Sequence, residues 1–500
     1  MNQVLNIFRK DTRRFWPEIV LSVIAVFAFV LVYPNEWRVL HDQNVQQRMM
    51  FILAALALLM VTGWGLLIAR VVHAETLVGD QQFWITRPYE WKKLLAAKVL
   101  FLVAWIGVPY LLAQSLLLTE AGFHPLAYMP GLLFNLLMAS TIYLLPVFAL
   151  ATVTANFARL TLTALGGLIL FTGYMFLVYG IPHGYTSANP YTNTVLVPLL
   201  FAGCALVIAL QYATRRVWVS RGLLIVLPIL LAVSVAAYRR QSLVDRAYPQ
   251  PSAGSTAPVS IAAIPTPAHP VEARSWEGED YIDMPVQYTG VAEGTAVFAD
   301  DFKFSITAAD GSQWSSPWQH IQERNLPGTQ HAGLSLMIGP ALYERFKTAP
   351  VTLRITFAVS RYQSDTVTKI AFPDGDVAVP VIGYCSPEYS NNMLCRAALR
   401  QSRLTHIDVL WSSGPCSDAQ PLPGSTVVSD MWLEPGSDFA LGSVWIQRIF
   451  FYRDDADSSH RHWRICPGSP LTMTQYHLLE RTQASFTLTN FQLPANVNPT

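Results

Sequence analysis

The chain shows two kinds of hydrophobic pattern, and the change between them falls near Tyr238. Before that point, apolar residues form seven long runs with no charged side chain near their centres. A run of about 20 apolar residues lets an α-helix cross the roughly 30 Å hydrocarbon core of a bilayer. The first half is therefore predicted to be an α-helical polytopic membrane domain over 16–238, with spans at 16–33, 50–72, 99–118, 129–154, 160–181, 194–213 and 222–238.

Apolar and polar positions alternate in the second half of the chain. The clearest run is Val351, Leu353, Ile355, Phe357 and Val359, and similar runs recur between Gly, Pro and Asp residues. Period two with one polar face is typical of antiparallel sandwiches. We expect an all-β, sandwich-like domain over 276–500, as one large sandwich or two that split near 373, and we favour two. The Pro-, Ala- and Ser-rich residues 239–275 predict a semi-extended linker.

The first 15 residues form a third pattern. Leu5, Phe8, Thr12 and Phe15 recur at the spacing of one helical face, with basic residues between them. This arrangement predicts an amphipathic helix over 1–15 that lies in the inner membrane interface. A basic anchor for the first span, with no further role, explains the same residues equally well. No small-residue cleavage site follows, so we do not expect a cleavable signal peptide.

Charge predicts the orientation of the spans. The chain is 52% hydrophobic and only 13% charged, and its net charge of +1 gives no basis for binding nucleic acid through bulk charge. With the N-terminus in the cytoplasm, the cytoplasmic connections hold thirteen Lys and Arg residues, against Arg38 and Arg48 in the outer loops. Because cytoplasmic loops are enriched in Lys and Arg, we expect a multi-pass protein of the cell (inner) membrane whose β domain is periplasmic or extracellular.

Cysteine usage points to the same location for the β domain. Cys204 lies alone in an apolar run, where a buried thiol is the ordinary interpretation. An even number of cysteines in one domain suits two disulfides, which persist in an oxidising compartment. Three pairings are open, and pairing of neighbours would join Cys385 with Cys395 and Cys416 with Cys466.

The longest predicted cytoplasmic connection, 75–98, carries a resemblance to a known family. A glutamate is followed at fixed distances by glycine, proline, paired aliphatic residues and a lysine: Glu75, Gly79, Pro88, Leu94 with Leu95, and Lys98. This spacing resembles the segment between the second and third spans of permease subunits in ATP-binding-cassette exporters of the second class. The basic N-terminal helix and the first six spans also match, so the resemblance covers about residues 2–213. A seventh span and a large outer domain depart from that layout.

The resemblance implies that residues 75–98 dock on a separate ATPase subunit and that two membrane subunits pair as a homo- or heterodimer in the lipid bilayer. Aromatic residues are dense in the same segment, where they suit either a protein interface or a membrane-interface belt. The predicted docking residues are Glu75, Gly79, Phe83, Trp84, Pro88, Trp91 and Lys98.

Motifs for chemistry are missing from the sequence. It contains no G-x-x-x-x-G-K-[ST] and no G-x-S-x-G or H-E-x-x-H, so we expect neither an enzyme nor a bound cofactor. Gln114, Asn135 and Gln211 lie within spans, where hydrogen bonds between helices explain them. The densest polar cluster predicts a solvated hairpin tip rather than a cation site, and consists of Asp454, Asp455, Asp457, His460 and His462.

Two functions follow as expectations. The first is the membrane-spanning subunit of an ATP-driven exporter, coupled through residues 75–98 to a separate ATPase. The alternative is a membrane-anchored binding or signalling protein whose active part is the outer β domain. Seven spans are more than an anchor needs, which favours the first.

Overall fold

The computed structural model contains a helical region followed by a separate β-rich domain. It describes most of the chain in segments, and every structural statement below concerns those segments. They are residues 2–38, 43–75, 90–179, 190–237, 240–251, 259–264, 271–276, 279–321, 332–380, 382–389, 392–399, 403–409, 412–413, 431–433, 442–451 and 463–495.

A helix covers each of the seven predicted spans. Four helical stretches in the described residues are long and apolar enough to cross a membrane, or five if the bent pair α1–α2 forms one span. A multi-helix apolar region is thus confirmed, while the count of seven spans stays a prediction. The helices are α1 Asn2–Arg14, α2 Trp16–Val32, α3 Asn35–Arg38, α4 Gln43–His73, α5 Trp91–Leu102, α6 Val108–Glu120, α7 Met129–Ala139, α8 Leu145–Val153, α9 Phe157–Tyr179, α10 Pro190–Thr214, α11 Val217–Ala237, α12 Arg240–Ala247 and α13 Pro340–Phe346.

Two of the long stretches are interrupted by a π-helical turn. Val103–Gly107 joins α5 to α6, and Ser140–Leu144 joins α7 to α8. Each turn is followed within two residues by a proline, Pro109 or Pro146. Proline lacks an N–H group and crowds the carbonyl four residues earlier, so a wider turn relieves the clash while the helix continues.

α1 is bent by 77° from α2 and packs beside α5. Its buried side chains include Ile7 and Asp11, and the following Phe15 is buried as well, whereas Leu5 is exposed. Packing against α5 therefore selects the buried positions of α1. The placement of residues 1–15 in the membrane interface stays a prediction.

The segment predicted as a spacer contains regular structure. It holds α12 and two strands, β1 Ser260–Ala263 and β2 Glu272–Trp276. None of these elements contains a proline, so the proline-rich composition of the whole segment does not prevent them from forming. α12 packs Val244 and the following Tyr248 against the β domain.

The β domain is built from open sheets. The strands that follow β1 and β2 are β3 Glu279–Thr289, β4 Thr295–Ala308, β5 Gln313–Ser315, β6 Gln319–His320, β7 Ala332–Ile338, β8 Val351–Ala371, β9 Val377–Val379, β10 Gly383–Tyr389, β11 Asn392–Ala398, β12 Leu404–Val409, β13 Ser412–Ser413, β14 Met431–Leu433, β15 Val444–Phe450, β16 Trp463–Arg464 and β17 Pro470–Phe491. The largest sheet has seven strands, with β14-β12-β17-β8-β4-β5 in order and β6 paired with β4. Two four-stranded sheets accompany it: β1-β3-β2 with β7 on β3, and β15-β11-β10-β9.

Two hydrophobic cores share one face of the seven-stranded sheet. β8 buries odd positions up to Val359 in the first core, while Ile370 and Phe372 pack in the second. The pairing of β8 with β17 shifts by one residue between Ser364 and Thr366. After this shift, the even-numbered residues of β8 lie on the face of the sheet that the odd-numbered residues occupy before it. β17 runs antiparallel to β8 through both cores, so the two cores share this pair of strands. A β-rich domain of open sheets is confirmed, while its description as one sandwich or as two that split near 373 stays a prediction.

Candidate functional site

A buried cluster of charges joins three helical elements at one end of the bundle. Lys98 Nζ lies 2.8 Å from Asp11 Oδ2 and 3.4 Å from Glu75 Oε2. The same ammonium donates a hydrogen bond of 3.0 Å to the carbonyl of Val71. The relative exposures of Lys98, Asp11 and Glu75 are 1%, 1% and 7%. The cluster, named the Lys98 cluster below, is thus almost completely removed from solvent.

The charges of the Lys98 cluster come from separate parts of the chain. Asp11 lies in the last turn of α1, Glu75 follows α4, and Lys98 lies in the second turn of α5. Lys10 reaches Glu75 from the exposed side, with 3.6 Å between Nζ and Oε1. Two cations therefore face two carboxylates. Buried charges are costly unless paired, so this balance holds the three elements together as one unit.

The carboxylates are held by charge more than by hydrogen bonds. Asp11 Oδ1 and Glu75 Oε2 have no hydrogen-bond partner among the described residues. A buried oxygen without a donor is costly, and such atoms are rare in proteins. Removing the ammonium of Lys98 would leave both acids buried with only the exposed Lys10 as counter-charge.

Further contacts fix α1 in place around the Lys98 cluster. Trp105 Nε1 donates a hydrogen bond of 3.0 Å to Thr12 Oγ1, and the Phe8 and Phe101 rings meet edge to face at 6.4 Å. On the other side, Arg70 pairs with Glu18 at 3.2 Å. The first two contacts attach α1 to the α5–α6 stretch, and the Arg70–Glu18 pair attaches α2 to α4.

The structure separates the predicted docking residues into two groups. Glu75 and Lys98 are buried and in contact, so they anchor the two ends of the 75–98 segment. Trp91 is half-buried, Leu94 is buried and Leu95 packs against the bundle core. Gly79, Phe83, Trp84 and Pro88 lie outside the described residues.

Asp11 was missed at the level of sequence. The four basic residues of α1 drew attention to its charged face, and Asp11 is the single acid among them. The signal was present, because Asp11 lies four residues after Ile7 and four before Phe15, on the buried face. A lone acid at such a position predicts a buried basic partner.

The opposite end of the bundle contacts the β domain through hydrogen bonds, most of them between neutral groups. Gln114 of α6 is buried, and its Oε1 accepts a hydrogen bond of 2.6 Å from the backbone N–H of Ser443. Ser443 Oγ donates in return to the Gln114 carbonyl at 2.9 Å. Tyr33 donates its hydroxyl to the Val444 carbonyl at 3.0 Å. Gln114 thus bonds to the β domain, in addition to any helix contact that the sequence predicted for it.

The β10–β11 hairpin extends this contact. We name the whole contact the outer junction, after the side of the membrane on which the sequence predicts the β domain. Tyr384 donates to the Gly122 carbonyl at 3.2 Å, and Arg396 Nε donates to the Ala121 carbonyl at 3.3 Å. A disulfide between Cys385 and Cys395 crosses the same hairpin, which confirms the first predicted pair. Cys466 is also disulfide-bonded. Cys416 lies outside the described residues.

A polar cleft lies on the face of the seven-stranded sheet that α12 covers in part. Its volume is about 430 Å³, and its walls carry two cations, Lys303 and Arg354, among serine, threonine and glutamine side chains. Lys303 is fixed by Asp245 at 3.0 Å and by the Trp318 ring, 4.4 Å from its Nζ. Arg354 is exposed. This arrangement can bind a ligand rich in anionic or hydroxyl oxygens.

A buried hydrogen-bonded group stands where α12 meets the same sheet. Tyr248 donates its hydroxyl to Asp300 Oδ2 at 2.8 Å, and Ser360 bonds the same carboxylate oxygen. Burial, followed by the neighbouring Asp300 carboxylate, raises the pKa of the Tyr248 hydroxyl well above its usual range. Tyr248 therefore remains a neutral donor and fixes the end of α12.

Among the segments with assigned structure, no group of three or more His, Cys, Asp or Glu residues is placed to hold a metal ion. The cluster of Asp454, Asp455, Asp457, His460 and His462 lies outside the described residues. Its interpretation as a hairpin tip stays a prediction.

The function of the chain must be argued from these sites. No model of a known protein family matches the chain, and no curated protein matches it either.

Proposed function

We propose that the chain is the membrane-spanning subunit of an ATP-driven exporter, coupled through residues 75–98 to a separate ATPase subunit. The observation that carries the proposal is the Lys98 cluster. It pairs the first residue of that segment with the last, Glu75 with Lys98, and adds Asp11 of α1 to the same pair.

This arrangement suits the transmission of force. A partner that displaces residues 75–98 would act on a segment whose two end residues are bonded to each other and to α1. Because breaking a buried ion pair is costly, α1, α4 and α5 would move as one body. The resemblance in residue spacing leads to the same segment independently.

The two ends of the bundle support an orientation in the cell membrane with the β domain on the outer side. The Lys98 cluster and Arg221 lie at one end, and the outer junction lies at the other. Enrichment of Lys and Arg on the cytoplasmic side would put the first end inside. A disulfide in the β domain suits an oxidising compartment outside.

The test is co-purification. The full chain, isolated from its native membranes in mild detergent, is expected to bring along an ATPase subunit that is recognised by a P-loop peptide and by ATP hydrolysis. Lys98→Met should remove that subunit, because the docking segment loses its anchor. Lys93→Met is the matched control, since Lys93 lies on the surface of α5 and pairs with its exposed neighbour Glu90.

Isolation of the wild-type chain without any ATPase would refute the proposal. Retention of the ATPase by Lys98→Met, with the helical region intact, would instead show that the Lys98 cluster does not position the docking segment. A dimer of membrane subunits is part of the proposal and is measured on the same preparation by its mass.

A second candidate is a binding or signalling protein that acts through its outer domain. The polar cleft with Lys303 and Arg354 favours it. Under this alternative, Arg354→Ala would abolish function and Lys98→Met would leave it intact. Under the exporter proposal, Lys98→Met abolishes transport whatever Arg354→Ala does.

A further inference from the structure

An apolar crevice opens on the side of the helical bundle between α9 and α11, with α8 and α10 as its floor. Its volume is about 660 Å³, within the roughly 300–1,000 Å³ of ordinary ligand pockets. Leucine side chains dominate its walls, including Leu162, Leu200 and Leu224. α10 and α11 approach closely behind it, where the side chain of Leu227 packs over Gly203. α10 and α11 therefore pack against each other along the inner side of the crevice.

Charge is confined to one end of the crevice. Arg159, near the start of α9, and Arg221, near the start of α11, line it beside Thr154. Arg221 is half-buried, and its Nε and Nη2 donate to the Val153 carbonyl at 3.3 and 3.2 Å. These bonds hold the guanidinium at the mouth of the crevice. Arg159 is exposed, and its guanidinium has no partner among the described residues.

The length of the crevice corresponds to one leaflet of a bilayer. Its lining on α11 runs from Arg221 to Leu231. Ten residues of α-helix rise about 15 Å, which is half of the roughly 30 Å hydrocarbon core. A site with cations at one end and about 15 Å of apolar wall fits a molecule with an anionic head and a single-leaflet acyl chain.

We propose that this crevice binds one anionic phospholipid from the leaflet on the side of the Lys98 cluster. Its phosphate lies between Arg159 and Arg221, and one acyl chain follows the apolar walls of α9 and α11. The proposal rests on the membrane placement used under the proposed function, and it is independent of the ATPase partner. A phospholipid is favoured over a soluble ligand because exposed leucines and isoleucines, such as Leu162 and Ile225, rim the opening.

The test uses the full chain in detergent and counts bound lipid by native mass spectrometry. Phosphatidylglycerol and phosphatidylcholine with identical acyl chains are the probes. The wild type is expected to bind one phosphatidylglycerol in preference to phosphatidylcholine. Arg159→Gln should weaken this preference about fivefold, the effect of one cation near an anionic headgroup. Arg216→Gln is the matched control, because Arg216 is an exposed arginine at the same end but does not line the crevice.

A second pair of variants tests the apolar part. Gly167 lines the crevice and Gly166 does not, and a Cβ at either position meets no atom within 4 Å. Gly167→Leu should fill the crevice and remove the bound lipid of either headgroup, while Gly166→Leu should keep it. Both changes replace a glycine in the same helix, so any general effect on folding should be the same in the two variants.

Three results of the phosphatidylglycerol and phosphatidylcholine measurements would overturn the proposal. They are equal binding of the two lipids by the wild type, equal loss in Arg159→Gln and Arg216→Gln, and equal binding by Gly167→Leu and Gly166→Leu. Displacement of phosphatidylglycerol by an equal concentration of oleate would assign the crevice to a fatty acid and would likewise overturn it. Failure to isolate an ATPase leaves these measurements unaffected, so the two proposals can fail separately.

Discussion

The two ends of the helical bundle are held together by different chemistry. At the end with the Lys98 cluster, full charges are buried and paired. At the outer junction, neutral hydrogen bonds from Gln114 and Tyr33 are joined by a hairpin that a disulfide braces. Each neutral bond contributes about 1 kcal/mol net, whereas a buried charge that loses its partner costs several times more. The end with the Lys98 cluster should therefore lose most of its stability when one charge is removed. The outer junction should instead lose stability in small steps, one contact at a time.

This difference suits the roles proposed for the two ends. A coupling segment must stay attached to the helices that it moves. A buried charge cluster meets that need, because each charge in it is stable only while its partners are present. The outer junction has to keep a large domain in place, which several modest contacts can do. The following variants test the contrast, from the largest expected effect to the smallest.

Lys98→Met should have the largest effect on stability. Asp11 and Glu75 would remain buried without their shared ammonium, and breaking a buried ion pair in this way costs about 3–5 kcal/mol. The measurement is thermal unfolding of the helical region by circular dichroism in detergent, with Lys93→Met as the exposed control.

A rescue variant sharpens this prediction. Lys98→Met combined with Asp11→Asn and Glu75→Gln removes all three charges and should recover much of the lost stability, because neutral buried groups replace unpaired acids. A triple variant no more stable than Lys98→Met would mean that packing of the lysine stem, and not charge, holds this end.

Removal of the Cys385–Cys395 disulfide should come second. The bond closes a loop across 10 residues of sequence. Loss of such a cross-link costs about 2–3 kcal/mol through the entropy of the unfolded chain. The variant Cys385→Ala with Cys395→Ala should lower the unfolding temperature of the β domain and leave that of the helical region in place. Cys204→Ala, which removes a buried free thiol, is the control and should leave the β domain unchanged.

Gln114→Leu should have a smaller and more local effect. The Ser443 N–H would stay buried without its acceptor, which costs about 1–3 kcal/mol. The measurement is hydrogen exchange of the peptide that contains Ser443, which should become faster. Gln47→Leu changes an exposed glutamine on α4 and should not alter exchange there. Unchanged protection of Ser443 in Gln114→Leu would mean that other contacts hold the outer junction.

The sequence predicted more of the end with the Lys98 cluster than of the outer junction. Long apolar runs gave the helices, and the alternation around Val351 gave a strand that the structure confirms. Residue spacing placed Glu75 and Lys98 in one segment, but burial of their side chains depends on the packing of α1 against α5, which residue spacing does not show. Local pattern could not show that β17 pairs along the whole of β8, because that register depends on bulges and on partners more than 100 residues away. For the same reason, nothing in the sequence linked Gln114 to Ser443.

Tyr33→Phe should have the smallest effect. It removes the hydroxyl that donates to the Val444 carbonyl and keeps the ring contacts with Phe29 and Trp37. One neutral hydrogen bond contributes about 0.5–1.5 kcal/mol, so the change in unfolding temperature should be less than that of Gln114→Leu. Tyr33→Leu also removes the ring and should exceed Tyr33→Phe. If Tyr33→Phe instead lowered the unfolding temperature as much as Lys98→Met, the outer junction would depend on a single hydrogen bond. The two ends of the bundle would then respond alike to the loss of one contact, and the contrast between them would be lost.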